Sequence, residues 1–397
     1  MIQVRELLRT AGDLWTDRVS VAEAALAVPP RIPAPRPHSL DQVTPAWLSD
    51  VVGRDTPGAR VERTEVVGGH SGTTSRQRLR LHWNEAGRAA GLPSVVFIKT
   101  TPGGWRNRTM VASLRMSSTE VDFYRTVRDD LPDDIAPHAY ATVKGPGARF
   151  LLVLEDMDER GYRAFSILDR CTPEHAHAMT TTLATLHVPF WDSPRFAGDL
   201  SWVRLASERP GRWFQREFDR RARARVMGTD YAKDFPADVR RVVSLFGEHA
   251  RDMDRVAERP PLTLVHGDSH LGNSWTTPEG HAGLFDWQLI HRRHGIQDFA
   301  HFLVSAFPTS LRREHERPLV EHYVSTLRAN GVPDASFDDI WDRYRLAVAY
   351  EWDAIATTVA FAGMQPIADP VAAFKRPNNA IVDLGAADAV ERALASL

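Results

Sequence analysis

Apolar positions follow two regimes along the chain. Between residues 60 and 155 they alternate with polar ones or gather in short blocks. Val61–Val67, the alternation through Arg76–Trp83, and the run Ser94–Ile98 predict strands, as do Ala139–Val143 and Phe150–Leu154. Two helices are predicted nearby. Thr44, Pro45 and Gly53 supply an N-cap, a first-turn proline and a stop, and a second helix is expected over Val111–Val127. From Thr172 onward the spacing turns helical. Thr172-Pro173-Glu174 opens a helix with Met179, Leu183, Leu186 and Phe190 on one stripe, and 338–361 carries Trp341, Tyr344, Val348, Trp352, Ile355 and Val359. One hairpin, turned at Gly280, interrupts this helical part.

The pattern predicts an α+β chain in two lobes with a seam near residue 156. The expected divisions are an N-terminal arm and proline-rich connector over 1–38, an N-lobe over 39–155 and a C-lobe over 156–397. Residues 1–28 read as one or two short amphipathic helices. Residues 29–37, with five prolines, read as an extended strap rather than an SH3-type ligand.

Composition narrows the function classes. The chain has 397 residues, 43% hydrophobic and 25% charged, with a formal net charge of −2. That balance excludes dominant disorder and supplies no global field toward nucleic acid or an anionic membrane. The arginines at 212, 216, 220, 221, 223 and 225 are interrupted by Glu217 and Asp219 and read as a solvated helix face. No signal-peptide core or run of about 18 apolar residues occurs, and Cys171 is the single cysteine. A cytoplasmic protein with no nucleic-acid or membrane partner is expected; the oligomeric state stays open.

Only four of the 49 basic residues are lysines, at 99, 144, 233 and 375. A lysine kept at the end of the strand Val95-Val96-Phe97-Ile98-Lys99 therefore points to a need for a compact ammonium, as against nucleotide phosphates. The bland alternative is a lysine snorkelling from a strand edge. Glu120, on the next helix, is placed to pair with it or to be an ordinary solvated glutamate, and Asp122 faces another side of that helix.

The strongest motif is His266-Gly267-Asp268-Ser269-His270-Leu271-Gly272-Asn273, followed by Phe285-Asp286-Trp287 beyond the hairpin. Asp, then Asn five positions on, then a strand-end Asp is the spacing of a phosphotransferase loop. A carboxylate aligns the attacking hydroxyl, and one amide and one carboxylate oxygen suit Mg²⁺. Asp268 alone would read as a loop carboxylate capping its own backbone. Gly68–Ser75 is glycine-rich and precedes the lysine strand, so Gly69, Ser71 and Gly72 are candidates for phosphate contact, although a plain hairpin turn explains them equally. Glu155 and Met157 lie where the strand Leu152–Leu154 stops, with backbone groups available to an adenine edge; Met157 as core is the alternative. His266 and His270 read as structural, and Asp298 reads as an N-cap or as an acceptor for loop N–H groups.

Taken in order, these segments, together with Leu183-Ala184-Thr185-Leu186-His187 and Asp286-Trp287-Gln288, resemble the aminoglycoside phosphotransferase and choline kinase-like family, and within it the ecdysteroid-kinase-like branch. The resemblance covers roughly residues 60–305. It implies a bilobal protein-kinase-like fold with a β-rich N-lobe and a mostly helical C-lobe. It also implies ATP and Mg²⁺ as cofactors and a small-molecule hydroxyl as acceptor. Residue by residue, it implies Asp268 as catalytic base, Asn273 and Asp286 as metal ligands, and Lys99 on the phosphates with Glu120 positioning it. Glu155 and Met157 become the adenine linker. Trp287-Gln288 departs from the Phe-Gly of protein kinases, so no protein-kinase activation loop is expected.

Two other readings compete. His266, Asp268 and His270, with His281, His291 and His294 downstream, would make a metal-dependent hydrolase cluster, which leaves Lys99, Glu120 and Asn273 without a role. A nucleotide-binding regulatory module without turnover is the second. For the acceptor, the 338–361 helix with Glu351, Trp352 and Asp353 is the expected contact. His291, Arg292, Arg293 and His294, with eleven tryptophans, favour a less charged alcohol over a polycationic aminoglycoside, although a core role is the default for most of those tryptophans.

Overall fold

The computed structural model describes residues 37–71, 74–145, 147–209, 212–360 and 369–397. The N-terminal arm and most of the proline-rich strap lie outside the described residues, as do Gly72 and Thr73. The chain forms two compact units. The first runs to Arg163 and also takes in Phe285–Leu289; the second comprises Ala164–Leu284 and Ile290–Leu397.

The first unit begins with α1 (Pro45–Val52), where Thr44 Oγ1 accepts the Trp47 N–H at 3.2 Å and Pro45 fills the first turn. A five-stranded antiparallel sheet follows, made of β1 (Val61–Ser71), β2 (Ser75–Trp83), β3 (Val95–Thr100), β4 (Ala139–Lys144) and β5 (Phe150–Glu155), in the order β1-β2-β3-β5-β4. The short α2 (Glu85–Ala89) lies between β2 and β3. Leu79, Leu81 and Trp83 of β2, Val96 and Ile98 of β3, and Leu151 and Val153 of β5 bury one face against Leu48 and Val52 of α1. Each such aliphatic side chain contributes about 1.5–3 kcal/mol. The single helix expected over Val111–Val127 is two: α3 (Trp105–Ser113) and α4 (Met116–Thr126). They are separated at Arg115, whose φ of 54° lies in the left-handed region.

The first part of the glycine-rich stretch is strand. Gly68 and Gly69 continue β1 and pair with Arg78 and Gln77. A Cβ on Gly69 would sit 2.8 Å from the Arg76 carbonyl oxygen, so the bare glycine lets the two strands close together.

The second unit is mainly helical. It holds α5 (Pro173–His187), α6 (Arg212–Met227), α7 (Ala237–Glu248), α8 (Ala250–Ala257), α9 (Ile296–Ala306), α10 (Thr309–Ala329), α11 (Phe337–Ala360), α12 (Pro370–Asp383) and α13 (Ala386–Ala395). Two short β elements carry the loops of interest. β6 (Thr263–Val265) pairs with β9 (His291–Arg293), and β7 (Ser274–Thr276) with β8 (Ala282–Leu284) around Gly280, whose φ is 88°. Trp275 and Trp352 are fully buried here, and Trp352 donates its Nε1–H to Asn378 Oδ1 at 3.0 Å. Trp287 is equally buried in the first unit. These three therefore do not line an acceptor pocket. Nor is α6 a uniformly solvated arginine face: Arg212 and Arg216 reach Asp254, and Arg223, 6% exposed, pairs with Asp353 at 2.7 Å. Arg220 and Arg221, bonded to Glu217, and the exposed Arg225 fit the solvated reading.

Candidate active site

In the first unit, β3 ends by burying Lys99, 3% exposed. Its Nζ lies 2.7 Å from Glu120 Oε2 and 2.7 Å from Asp286 Oδ1. Glu120 comes from α4 and is fully buried; Gln288 Nε2 donates to it at 3.2 Å. Burial pushes its carboxyl above the usual range, against the pull of Lys99. Asp122, two further along the same helix, turns away and binds Lys144. Asp286 has a φ of 70°, a conformation non-glycine residues hold only when their surroundings enforce it. That enforcement is visible in the two residues that follow: Trp287 stacks on Phe123 at 4.0 Å, and Gln288 is tied to Glu120.

Arg76, opposite Lys99 in the β2–β3 register, donates Nη2–H to Asp286 Oδ2 at 2.7 Å. Sequence reasoning missed it; the available signal was that Arg76 faces the lysine across one strand pair. Arg78, two residues on, binds Asp156 through Nε at 2.6 Å and Nη2 at 2.8 Å, which anchors the segment after β5. In that segment the Glu155 N–H donates to the His138 carbonyl and the Met157 carbonyl accepts the Tyr162 N–H, while Met157 itself is buried.

In the second unit, β6 delivers the loop His266–His270. Gly267 takes a φ of 81°, and the loop backbone is gripped from α9: Asp298, 1% exposed, accepts the His266 N–H at 2.6 Å and the Gly267 N–H at 2.9 Å. The Asp298 carbonyl also accepts the Ser269 hydroxyl at 2.7 Å. Of the two readings of Asp298, the structure has the loop acceptor and not the N-cap. Its carboxyl is held below the usual range by His187, His266 and the Gly267 N–H, although burial opposes them. His187 is fixed in turn by Tyr323, at 2.7 Å.

Asp268, with a third of its side chain exposed, donates its N–H to His266 Nδ1 at 3.2 Å. Asn273 Nδ2 binds the Asp268 carbonyl at 2.8 Å and its Oδ2 at 3.1 Å. The structure thus brings Asp268 and Asn273 together as one unit, and does the same for Lys99, Glu120 and Asp286 in the other. Burial works to raise the Asp268 carboxyl, yet His301 and the neighbouring His270 and His266 hold it well below the carboxylate range. His301, on α9, was not singled out in the sequence. The signal was a lone polar position in the apolar run Phe299-Ala300-His301-Phe302-Leu303.

Each cluster holds a hard oxygen donor of the kind Mg²⁺ takes: the Asp286 carboxylate in the first unit and, in the second, the Asn273 side-chain amide, whose nitrogen is bonded to Asp268. Arg76 takes one Asp286 oxygen, which a cation there would have to displace. For the hydrolase reading, no group of three or more His, Cys, Asp or Glu placed to hold a metal occurs among the described residues. His266 accepts the Asp268 N–H and His294 Nδ1 the Ile296 N–H instead.

The ecdysteroid kinase-like family model matches residues 76–188 and 213–331, more than half of the chain. The chain belongs to this family. The matched stretches hold Arg76, Lys99, Glu120, Asp268, Asn273 and Asp286, so the family assignment spans both clusters. None of the curated proteins matches in sequence. Similar solved structures include the amicoumacin kinase hAmiN in complex with AMP-PNP, Ca²⁺ and Ami, with 15% identity, 81% of this chain and 88% of that one covered, and a TM-score of 0.49. Another is an ethanolamine kinase of Plasmodium vivax, with 13% identity, coverage of 86% and 85%, and a TM-score of 0.49. The spectinomycin phosphotransferase APH(9)-Ia with ADP and spectinomycin has 14% identity, coverage of 86% and 97%, and a TM-score of 0.45. Among the described residues no helix is long and apolar enough to cross a membrane.

Proposed function

We propose that this member of the ecdysteroid kinase-like family moves the γ-phosphoryl group of ATP, with Mg²⁺, onto a hydroxyl of a small molecule. The observation that carries the reading is the buried Lys99 ammonium, held at 2.7 Å by each of two carboxylates, one of them on the strained Asp286. A chain that elsewhere uses arginine keeps a compact point charge here, and strain of this kind gathers at functional positions. Lys99 steadies the nucleotide phosphates, and Glu120 fixes Lys99. Gly69 and Ser71, with Gly72 in the sequence after them, are the candidates for phosphate contact, and Glu155 and Met157 belong to the linker for the base. Mg²⁺, when bound by Asp286 and Asn273, neutralises phosphate charge. Asp268, ionised across the physiological range, aligns the acceptor hydroxyl and takes its proton. The rate enhancement then comes from positioning and electrostatics.

The acceptor in this reading is a less charged alcohol than an aminoglycoside. The α11 carboxylates are already committed, Glu351 to His301 and Asp353 to Arg223, which leaves neither for a polycation. The test is ADP release from Mg-ATP across an alcohol library with an aminoglycoside panel alongside, run with wild type and Asp268→Asn. Asp268→Asn is expected to lose about 10²–10⁴-fold in kcat with nucleotide affinity kept. Turnover equal to wild type in that variant removes the mechanism.

A further inference from the structure

Helix α9 contributes more than the Asp298 grip on the loop. His301 leaves the same helix three residues later, with four-fifths of its side chain buried. Its Nδ1 lies 2.5 Å from Glu351 Oε2 on α11, and its Nε2 lies 3.5 Å from Asp268 Oδ1. Glu351 is 4% exposed, and its other oxygen accepts the Gln297 amide at 3.0 Å. Gln297 and His301 are one helical turn apart, so α9 holds both oxygens of Glu351 and the glutamate has no freedom to swing away.

The charged groups facing His301 are Asp268 and His270 from the loop, the latter with ring centroids 6.2 Å apart, and Glu351 from α11. Between two carboxylates a doubly protonated ring donates on both sides, whereas a neutral ring would turn a lone pair onto one of them. Burial alone would lower the proton affinity of His301, but Glu351 and Asp268 together lift it well above that of an ordinary histidine. Nε2 is buried without a hydrogen-bond partner among the described residues, and Asp268 is the carboxylate it faces. A gap of this size closes when a substrate orders the side chains around it.

We propose that His301, clamped by Glu351, is a positioning residue for Asp268: it presents an N–H to Oδ1 while Asn273 holds Oδ2, and so fixes the carboxylate plane that receives the acceptor hydroxyl. Each oxygen keeps a second lone pair for that hydroxyl. The proposal rests on Asp268 serving as the base, as argued above, and its two measurements separate the two claims.

The first measurement is ¹⁵N NMR of the His301 ring in the full-length protein, compared with Glu351→Gln. Wild type is expected to keep the doubly protonated ring at a pH where an ordinary histidine is neutral, and Glu351→Gln to move its titration to lower pH. A wild-type ring already neutral at pH 7 overturns the proposal. The second is ADP release from Mg-ATP with water as acceptor, and with any alcohol that wild type turns over. His301→Ala is expected to lose about 10–100-fold in kcat, with the ATP KM within about twofold and partial rescue by free imidazole. Glu351→Gln is expected to move the alkaline limb of the kcat profile to lower pH. His301→Asn, a shorter donor, serves if the alanine variant does not fold. Full turnover in His301→Ala, with loss in Asp268→Asn, overturns the positioning role alone. Full turnover in Asp268→Asn overturns the functional reading, and the positioning role with it.

Discussion

Arg76 and Asp286 form an ion pair of 2.7 Å, on the carboxylate whose other oxygen takes Lys99. A guanidinium therefore stands where the proposed function needs a divalent cation to approach, and the two compete. Arg76→Gln is expected to lower the Mg²⁺ concentration for half-maximal ADP release by about 2–5-fold, the range of a part-exposed ion pair. A Mg²⁺ titration of both proteins at saturating ATP checks this; an increase would make Arg76 a helper of the site instead.

Lys99→Met leaves Glu120 fully buried without its cation. Removing one partner of such a pair costs about 3–5 kcal/mol. With Lys99 gone, burial raises the Glu120 carboxyl further above its unfolded value of 4.5, so the stability it contributes is present below that value and is lost as pH rises. Urea denaturation at pH 5 and pH 8 should find the variant weaker at pH 8, with much of the deficit recovered in Lys99→Met/Glu120→Gln. Equal deficits at both pH values would contradict the account.

Asp298→Ala removes the acceptor of two buried loop N–H groups at once. The expected loss is roughly 2–4 kcal/mol, with kcat reduced because the Asp268 backbone is released. Denaturation midpoints paired with ADP release measure both. A stable variant with full turnover would show that the β6–β9 pairing alone shapes the loop.

His294 is 5% exposed and is held well below its ordinary value, first by burial and then by Arg343 and His187. It stays neutral in the fold, so unfolding takes up a proton once pH falls below 6.5, and stability declines from there by at most about 1.4 kcal/mol per pH unit. His294→Asn keeps an acceptor for the Ile296 N–H and should flatten that decline between pH 6.5 and 5 in thermal melts. An unchanged slope would assign the acid sensitivity elsewhere.

The parts of the fold written in the sequence are those that local chemistry decides. The Thr44 cap with Pro45, the alternation of β2 and the Thr172-Pro173 start of α5 each need only neighbours in the chain, and each appears where expected. The break at Arg115 was not legible, because it is a left-handed backbone with no glycine to announce it. The candidate site was legible through spacing: Asp268, Asn273 and Asp286 belong to one motif, and Lys99 stood out against an arginine background. Arg76 and His301 were not, since each gains its meaning from a partner far along the chain, at positions 286 and 351. Trp275, Trp287 and Trp352 take the core role that is the default for such bulk, and so lend no weight to an apolar acceptor pocket.

Asp298 and His301 stand one turn apart on α9, the first fastened to the backbone at His266 and Gly267, the second facing the Asp268 carboxylate. Main chain and side chain of one loop are thus indexed to a single rod. Axial drift of that rod carries both attachments the same way, so the spacing between imidazole and carboxylate is preserved to first order while the surrounding helices breathe. Tolerance to thermal jitter is built into the address of these two residues rather than into the strength of either bond.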